Sequence, residues 1–187
     1  MYENGKLKLV ESFGAEEEFE FPAPIGKRKT CYFAQDEVGS IPLYIKTKKL
    51  DVKIHDNNIH RFKNLTSKQL NDLEKLPGSK PGDEKKFPKS IFAMAVEAIG
   101  KKSGKKKTLK FSVVFPNQKE IGKMNLGANF ISYPTALSAK LFIMAIPKIN
   151  SAGKTGVFPP EALSKKIRES ILKQLAPNHV KVCKKGF

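Results

Sequence analysis

The sequence predicts an α+β protein, with strands and helices interleaved and no regular βαβ rhythm. Residues 108–115 alternate apolar and polar, as a half-buried strand does. Residues 132–148 form an apolar run of helical length, with Pro134 near its start where proline is tolerated. The chain has 187 residues, which at roughly 150 residues per domain fits a single domain spanning 1–187. A mixed sheet with helices packed on it is the expected arrangement.

Residues 7–21 alternate weakly and run acidic through Glu16, Glu17, Glu18 and Glu20. Phe19 and Phe21 between carboxylates suit an edge strand, and Pro22 and Pro24 exclude a central strand or a helix after it. Residues 26–29 read as a basic turn. Thr30, Cys31, Tyr32 and Phe33 are β-branched or aromatic and read as a buried strand. Asp36 is placed to cap a short helical turn that ends before Pro42. Residues 50–54 suggest another strand, broken by Asp56, Asn57 and Asn58.

Thr66 opens the clearest helix. Thr66 and Gln69 form a capping box, Leu65 and Leu70 hold the staple positions, and Leu70, Leu73 and Leu76 make the apolar stripe. Pro77-Gly78 stops it, and residues 79–89 are a polar linker. Residues 90–99 are apolar at alternate and intervening positions, which predicts a strand buried on both faces. Residues 100–107, with five lysines, read as a hairpin turn into strand 108–115, whose Leu109, Phe111, Val113 and Phe115 face inward. Pro116-Asn117 ends that strand. Helix 132–148 is apolar nearly all round, through Ala136, Leu137, Leu141, Phe142, Ile143, Met144 and Ile146, and is expected to be buried. Residues 150–156 read as a loop. A last helix from about Ser164 places Ile167, Ile171 and Leu175 on one face, and residues 180–183 suggest a final strand.

Lys plus Arg is 35 against 18 Asp plus Glu, a net charge of +17. Focused on one face, such an excess would favour a polyanion. Only Arg28, Arg61 and Arg168 are arginines, however, and bidentate reading of phosphates and guanines favours Arg. The lysine run 101–107 has no stacking aromatics between its charges. A solvated hairpin tip is preferred to a phosphate-contacting loop. Two cysteines exclude a disulfide scaffold and leave a Cys31–Cys183 pair open. The apolar stretch 136–146 contains Lys140 and is too short to span a bilayer. Residues 1–10 lack the apolar core of an export signal. A cytoplasmic protein with no membrane partner is expected.

Gly153-Lys154-Thr155 resembles the end of a phosphate-binding loop. Lys148 stands where that motif needs its first glycine, and Val157-Phe158-Pro159 follows where it needs a helix. No G-x-G-x-x-G occurs, so no cofactor-binding residue is expected in this chain. His55 and His60 are five apart and His179 stands alone, so no metal site is expected. Cys31 lies in an apolar strand with no activating base. Two segments remain. Residues 129–135 (NFISYPT) feed the N-terminus of the apolar helix, where free N–H groups would favour a carboxylate or phosphate. Asn129, Tyr133 and Thr135 are the candidates there, against the plainer reading of an N-cap. The turn Gly26-Lys27-Arg28 offers Arg28 as a carboxylate clamp, against the plainer reading of a solvated turn.

The run from Glu18 to Arg28 (EFEFPAPIGKR) is followed by Tyr32-Phe33, Glu37-Val38, Ile41-Pro42 and Tyr44-Ile45. Together these resemble the opening of the C-terminal domain of saccharopine dehydrogenase-like oxidoreductases, where a PIGKR turn leads into a strand. Residues 131–141 (ISYPTALSAKL) and 156–163 (GVFPPEAL) are similar to that family's buried helix and the turn after it. The ordered match covers roughly residues 2–175. Lys46-Thr47-Lys48-Lys49 departs from the family's pattern, and residues 55–89 are not diagnostic.

The resemblance implies a fold of the dihydrodipicolinate-reductase-like or glyceraldehyde-phosphate-dehydrogenase-like C-terminal type. It implies a domain that holds an amino-acid substrate and forms a homodimer, while an N-terminal Rossmann domain absent from this chain binds NAD or NADP. The chemistry implied is hydride transfer at a carbon–nitrogen bond of a saccharopine- or carboxynorspermidine-like amine, with this chain inactive alone. Arg28 is then the first candidate for substrate carboxylates, followed by Tyr133 and Thr135, and then Asn129. The catalytic residues stay unassigned. The alternative is a small basic nucleic-acid-binding module.

Overall fold

The computed structural model describes residues 1–56, 66 and 87–186. The helix expected from Thr66 and most of the linker after it lie outside the described residues, as does His60. The class is α+β, and the chain divides into two compact units.

One unit takes in the described residues of Met1–Glu74 together with Gly156–Ser164. It contains β1 (Tyr2–Glu3), β2 (Lys6–Leu7), β3 (Glu17–Glu20), β4 (Lys27–Tyr32), α1 (Glu37–Tyr44), β5 (Lys49–Leu50), β6 (Lys53–Ile54) and a 3₁₀ turn at Pro160–Ala162. Its strands make two antiparallel sheets, ordered β2-β1-β5 and β3-β4-β6. β3 is an edge strand, and Phe19 meets Phe21 edge-on at 4.8 Å. The basic segment Lys27–Lys29 is strand and not turn: Gly26, at φ 68°, turns the chain. The ladder explains this, because Glu20 faces Lys27 and Glu18 faces Lys29 across it, and opposite charges in that position favour pairing. Thr30 and Cys31 are buried. Helix α1 runs through Pro42 and does not end before it; Ile45 N donates to Ile41 O at 2.8 Å beyond the proline. The N–H bond that proline removes is missing from a helix with no fully buried residue, where water can satisfy the carbonyl. Residues 50–54 split, with Leu50 in one sheet and Lys53–Ile54 in the other.

The other unit takes in the described residues of Lys75–Thr155 and Lys165–Phe187. It contains β7 (Ala93–Lys102), β8 (Lys105–Val114), α2 (Gln118–Lys123), α3 (Ser132–Ser151), α4 (Lys165–Leu172), a 3₁₀ turn at Ala176–Asn178, and β9 (Lys181–Lys185). The sheet order is β7-β8-β9, antiparallel throughout. The β7–β8 register is unbroken from Ala93↔Val114 to Lys102↔Lys105. Ser103 and Gly104 close it with φ of 51° and 75°, the two positive values that let a two-residue turn match strand twist. The expected lysine-rich turn is therefore two residues long, and its lysines stand in the ladder.

Val113, Phe115, Ile121, Tyr133, Leu137, Leu141, Leu175 and Val180 form the core of this unit, with Phe92, Phe111 and Ile171 packed against it. Phe92 and Phe115 meet edge-on at 5.7 Å. Helix α3 buries Tyr133, Leu137, Leu141, Ala145 and Ile149, one stripe at four-residue spacing. Ile143, Met144 and Ile146 are exposed, so the expectation of burial all round is corrected to one face. The same correction applies to β7, whose Met94, Val96 and Ile99 are exposed. Apolar composition alone does not say how many neighbours an element has, and β7 has a strand on one side only among the described residues. Helix α2 was not anticipated. Asn117 caps it, with a reciprocal bond pair between Asn117 and Glu120.

Candidate functional site

Three of the four predicted site residues lie at the N-terminus of α3. Asn129 is buried, and its Oδ1 accepts from the backbone N–H of Ile131 at 3.0 Å and of Ser132 at 2.7 Å. Its own N–H donates to Ser132 Oγ at 2.8 Å. Phe130 N–H donates to Gln118 Oε1 at 2.8 Å. Tyr133 N–H donates to Asn129 O at 2.9 Å, and Thr135 N–H to Ile131 O at 3.5 Å. Pro134 has no N–H to give. Every backbone donor from 129 to 135 is thus engaged by the protein itself. The helix end that could have held an anion is closed by its own cap.

Tyr133 is buried, and its hydroxyl donates to Asn178 O at 2.9 Å. Burial raises its phenol pKa above the ordinary value of 10.0. Thr135 is exposed and bonds back to Ile131 O at 3.0 Å, the local bond that hydroxyl side chains make inside helices. Gln118 is the residue that sequence reasoning missed. It is among the most buried side chains, and its carbonyl oxygen ties α2 to the segment before α3. The signal was present as Asn117-x-x-Glu120, a capping-box spacing.

Arg28 lies on β4 opposite Phe19, in the first unit. It is exposed, and its Nη1 donates to Lys27 O at 2.7 Å. Two acids of the facing strand, Glu17 and Glu18, have other partners. Glu18 pairs with Lys27 at 3.0 Å, and the bond raises the pKa of that lysine. Glu17 pairs with Lys53 at 2.9 Å. Lys53 also lies 5.0 Å from the centre of the Tyr32 ring, within reach of a cation–π attraction. Among the described residues, Arg28 has no carboxylate partner.

The remaining candidates resolve simply. His55 Nδ1 lies 2.8 Å from Lys29 O. His179 sits in a turn at φ 60°. No group of three or more His, Cys, Asp or Glu among the described residues could hold a metal ion. Both cysteines are thiols, and Cys31 is buried with Sγ 3.9 Å from Ile54 O. Gly153 and Lys154 N–H groups bond back to Asn150 O and Ile149 O, so this segment finishes a helix where a phosphate loop would begin one. No helix among the described residues is long and apolar enough to cross a membrane. No protein-family model matches the chain, and no curated protein matches it.

Proposed function

We propose that this chain is the substrate-binding and dimerisation domain of a NAD(P)-dependent oxidoreductase of the saccharopine dehydrogenase-like kind. Its substrate would be an amino-acid-derived secondary amine carrying several carboxylates, like saccharopine or carboxynorspermidine. The observation that carries the reading is Arg28. Its guanidinium is exposed on β4 with no carboxylate partner among the described residues, while Glu17 and Glu18 of the facing strand are taken by lysines, and it ends the PIGKR segment that resembles the family. A guanidinium in that state suits a carboxylate bidentately. The order of the family-like segments along the chain adds support. The cofactor would come from a separate Rossmann domain and carry the hydride, while this domain holds and orients the substrate. The protein would act in the cytoplasm as a homodimer.

Titrating the full chain with saccharopine, read by calorimetry, tests this. Binding is expected, and Arg28→Ala should weaken it about tenfold or more, as losing a charge-assisted bond does. No binding, or binding indifferent to Arg28→Ala, overturns the reading. Tight binding of NADPH by this chain alone would overturn the division of labour. One observation favours a second reading, a nucleic-acid-binding module. Lys101, Lys102, Lys105, Lys106 and Lys107 stand on a two-stranded ribbon, a shape the major groove of DNA admits. DNA affinity that falls steeply with salt, with saccharopine silent, would select it.

A further inference from the structure

We propose that β7 is the seam of a homodimer, in which two copies pair antiparallel along their β7 edges about a two-fold axis at Ile99. The proposal gives the dimerisation half of the reading above a surface, and rests on that half alone.

β7 is an open edge. It bonds β8 on one side and, among the described residues, no strand on the other. It is ten residues long, its register with β8 has no bulge, and it contains no proline. Charges, prolines, bulges and short length are the usual means of keeping an edge from pairing. From Ala93 to Gly100 the only charge is Glu97. Met94, Val96 and Ile99 are 51%, 59% and 62% exposed.

The hydrogen-bond phase selects which residues can pair. Phe115 N–H donates to Phe92 O at 3.0 Å, and the register continues from Ala93↔Val114. The even-numbered residues of β7 therefore bond β8. Residues 93, 95, 97, 99 and 101 turn their N–H and C=O groups to the open side. A two-fold axis at Ile99 sets Ile99 against Ile99 and Glu97 against Lys101 of the second copy, twice over by symmetry. All of these are outward-facing residues, so each facing pair can exchange two backbone bonds.

The charges select the same register. Within one copy Glu97 bonds Lys110 at 2.6 Å, while Lys101 stands opposite Lys106, a like-charge pair that costs stability. The seam gives each Lys101 a carboxylate across the new ladder and places each Glu97 between two lysines. On the other face it sets Val96 against Lys102 of the second copy, whose aliphatic stem can cover it, and Ala98 against Gly100. Moving the axis by one residue sets Glu97 against Ile99 or Ser103 and loses both ion pairs. The segment Glu97-x-Ile99-x-Lys101 is self-complementary only about its own centre, and that self-complementarity selects a second copy of this chain as the occupant.

Sedimentation velocity on the full chain tests the seam. The wild type should form a concentration-dependent dimer of twice 20.9 kDa. Glu97→Lys and Lys101→Glu should each sediment as monomers, because like charges then face one another. Mixing the two variants should restore the dimer, since every facing pair is again opposite. Lys101→Glu leaves the Glu97–Lys110 pair intact and is the variant safest for folding, checked by circular dichroism. A wild type monomeric throughout, a dimer that survives Lys101→Glu, or a mixture that stays monomeric overturns the seam. The substrate reading fails separately. A monomeric Lys101→Glu chain that still binds saccharopine supports both, and a wild-type dimer that ignores saccharopine supports the seam alone.

Discussion

At its base the β7–β8 hairpin puts Val113, Val114 and Phe115 out of water, with Phe115 edge-on to Phe92. At its tip the same ladder sets Lys101 opposite Lys106 and Lys102 opposite Lys105. The two ends share one register and are governed by different forces. A slip of one residue would swing Val113 and Phe115 out of the core, so burial at the base specifies the pairing. The tip inherits that pairing through a two-residue turn and accepts like charges face to face. Stability is concentrated at one end, and the other end is left with chemistry to offer.

The largest effect that could break this contrast is at the base. Phe115→Ala should destabilise the protein by about 3–5 kcal/mol, the usual cost of emptying an aromatic core site, read as a shift of the urea midpoint. A loss near that of a surface substitution would mean the base does not anchor the hairpin. Tyr133→Phe comes next. It removes the bond to Asn178 O and should cost about 1 kcal/mol at neutral pH. Burial raises the Tyr133 pKa above 10.0 in the folded state. Above that pH the unfolded chain has released a proton that the native chain keeps. The contribution of this group is thus fully present below pH 10.0 and is lost as pH rises through the folded pKa. Unfolding midpoints measured on both sides of that pH should fall less steeply in the Phe variant. The smallest effect is at the tip. Lys106→Thr relieves one like-charge pair and should stabilise by about 0.2–1 kcal/mol, more at low salt than at high. Destabilisation there would show that the tip lysines already have a stabilising role within one copy.

The period-two pattern of residues 108–115 and the Val180–Cys183 end segment were legible because a strand's side chains alternate whatever lies beside it. The strand at β3 was legible for the same reason, with the prolines that end it. The turn at Ser103-Gly104 was placed too broadly, since a glycine and a lysine run mark a turn without saying how far the ladder climbs into it. The α1 boundary was misjudged because an exposed helix tolerates a proline that a buried one would not. Exposure of Ile143, Met144 and Ile146 on α3, and of Met94, Val96 and Ile99 on β7, was not legible, because hydrophobicity records what can be buried and not what is present to bury it.

The candidate site shows the same division. The types and spacing of Asn129, Tyr133 and Thr135 marked a helix start, and a helix start is what they make. Whether its N–H groups were left for a ligand depended in part on Gln118, eleven residues upstream of Asn129 in sequence, which takes the N–H of Phe130. Arg28 was legible as a cation after a glycine turn. That Glu18 and Glu17 are bound by Lys27 and Lys53 came from a ladder joining three separate segments. By itself the sequence determined the α+β class, the hairpin and the apolar helix, because each is set by bonds and periodicities within a few residues. Among the described residues, the tertiary structure decided which apolar faces stay open, which polar groups are satisfied and which edge is unpaired. Those depend on packing between residues far apart in the chain, and local pattern carries no record of it.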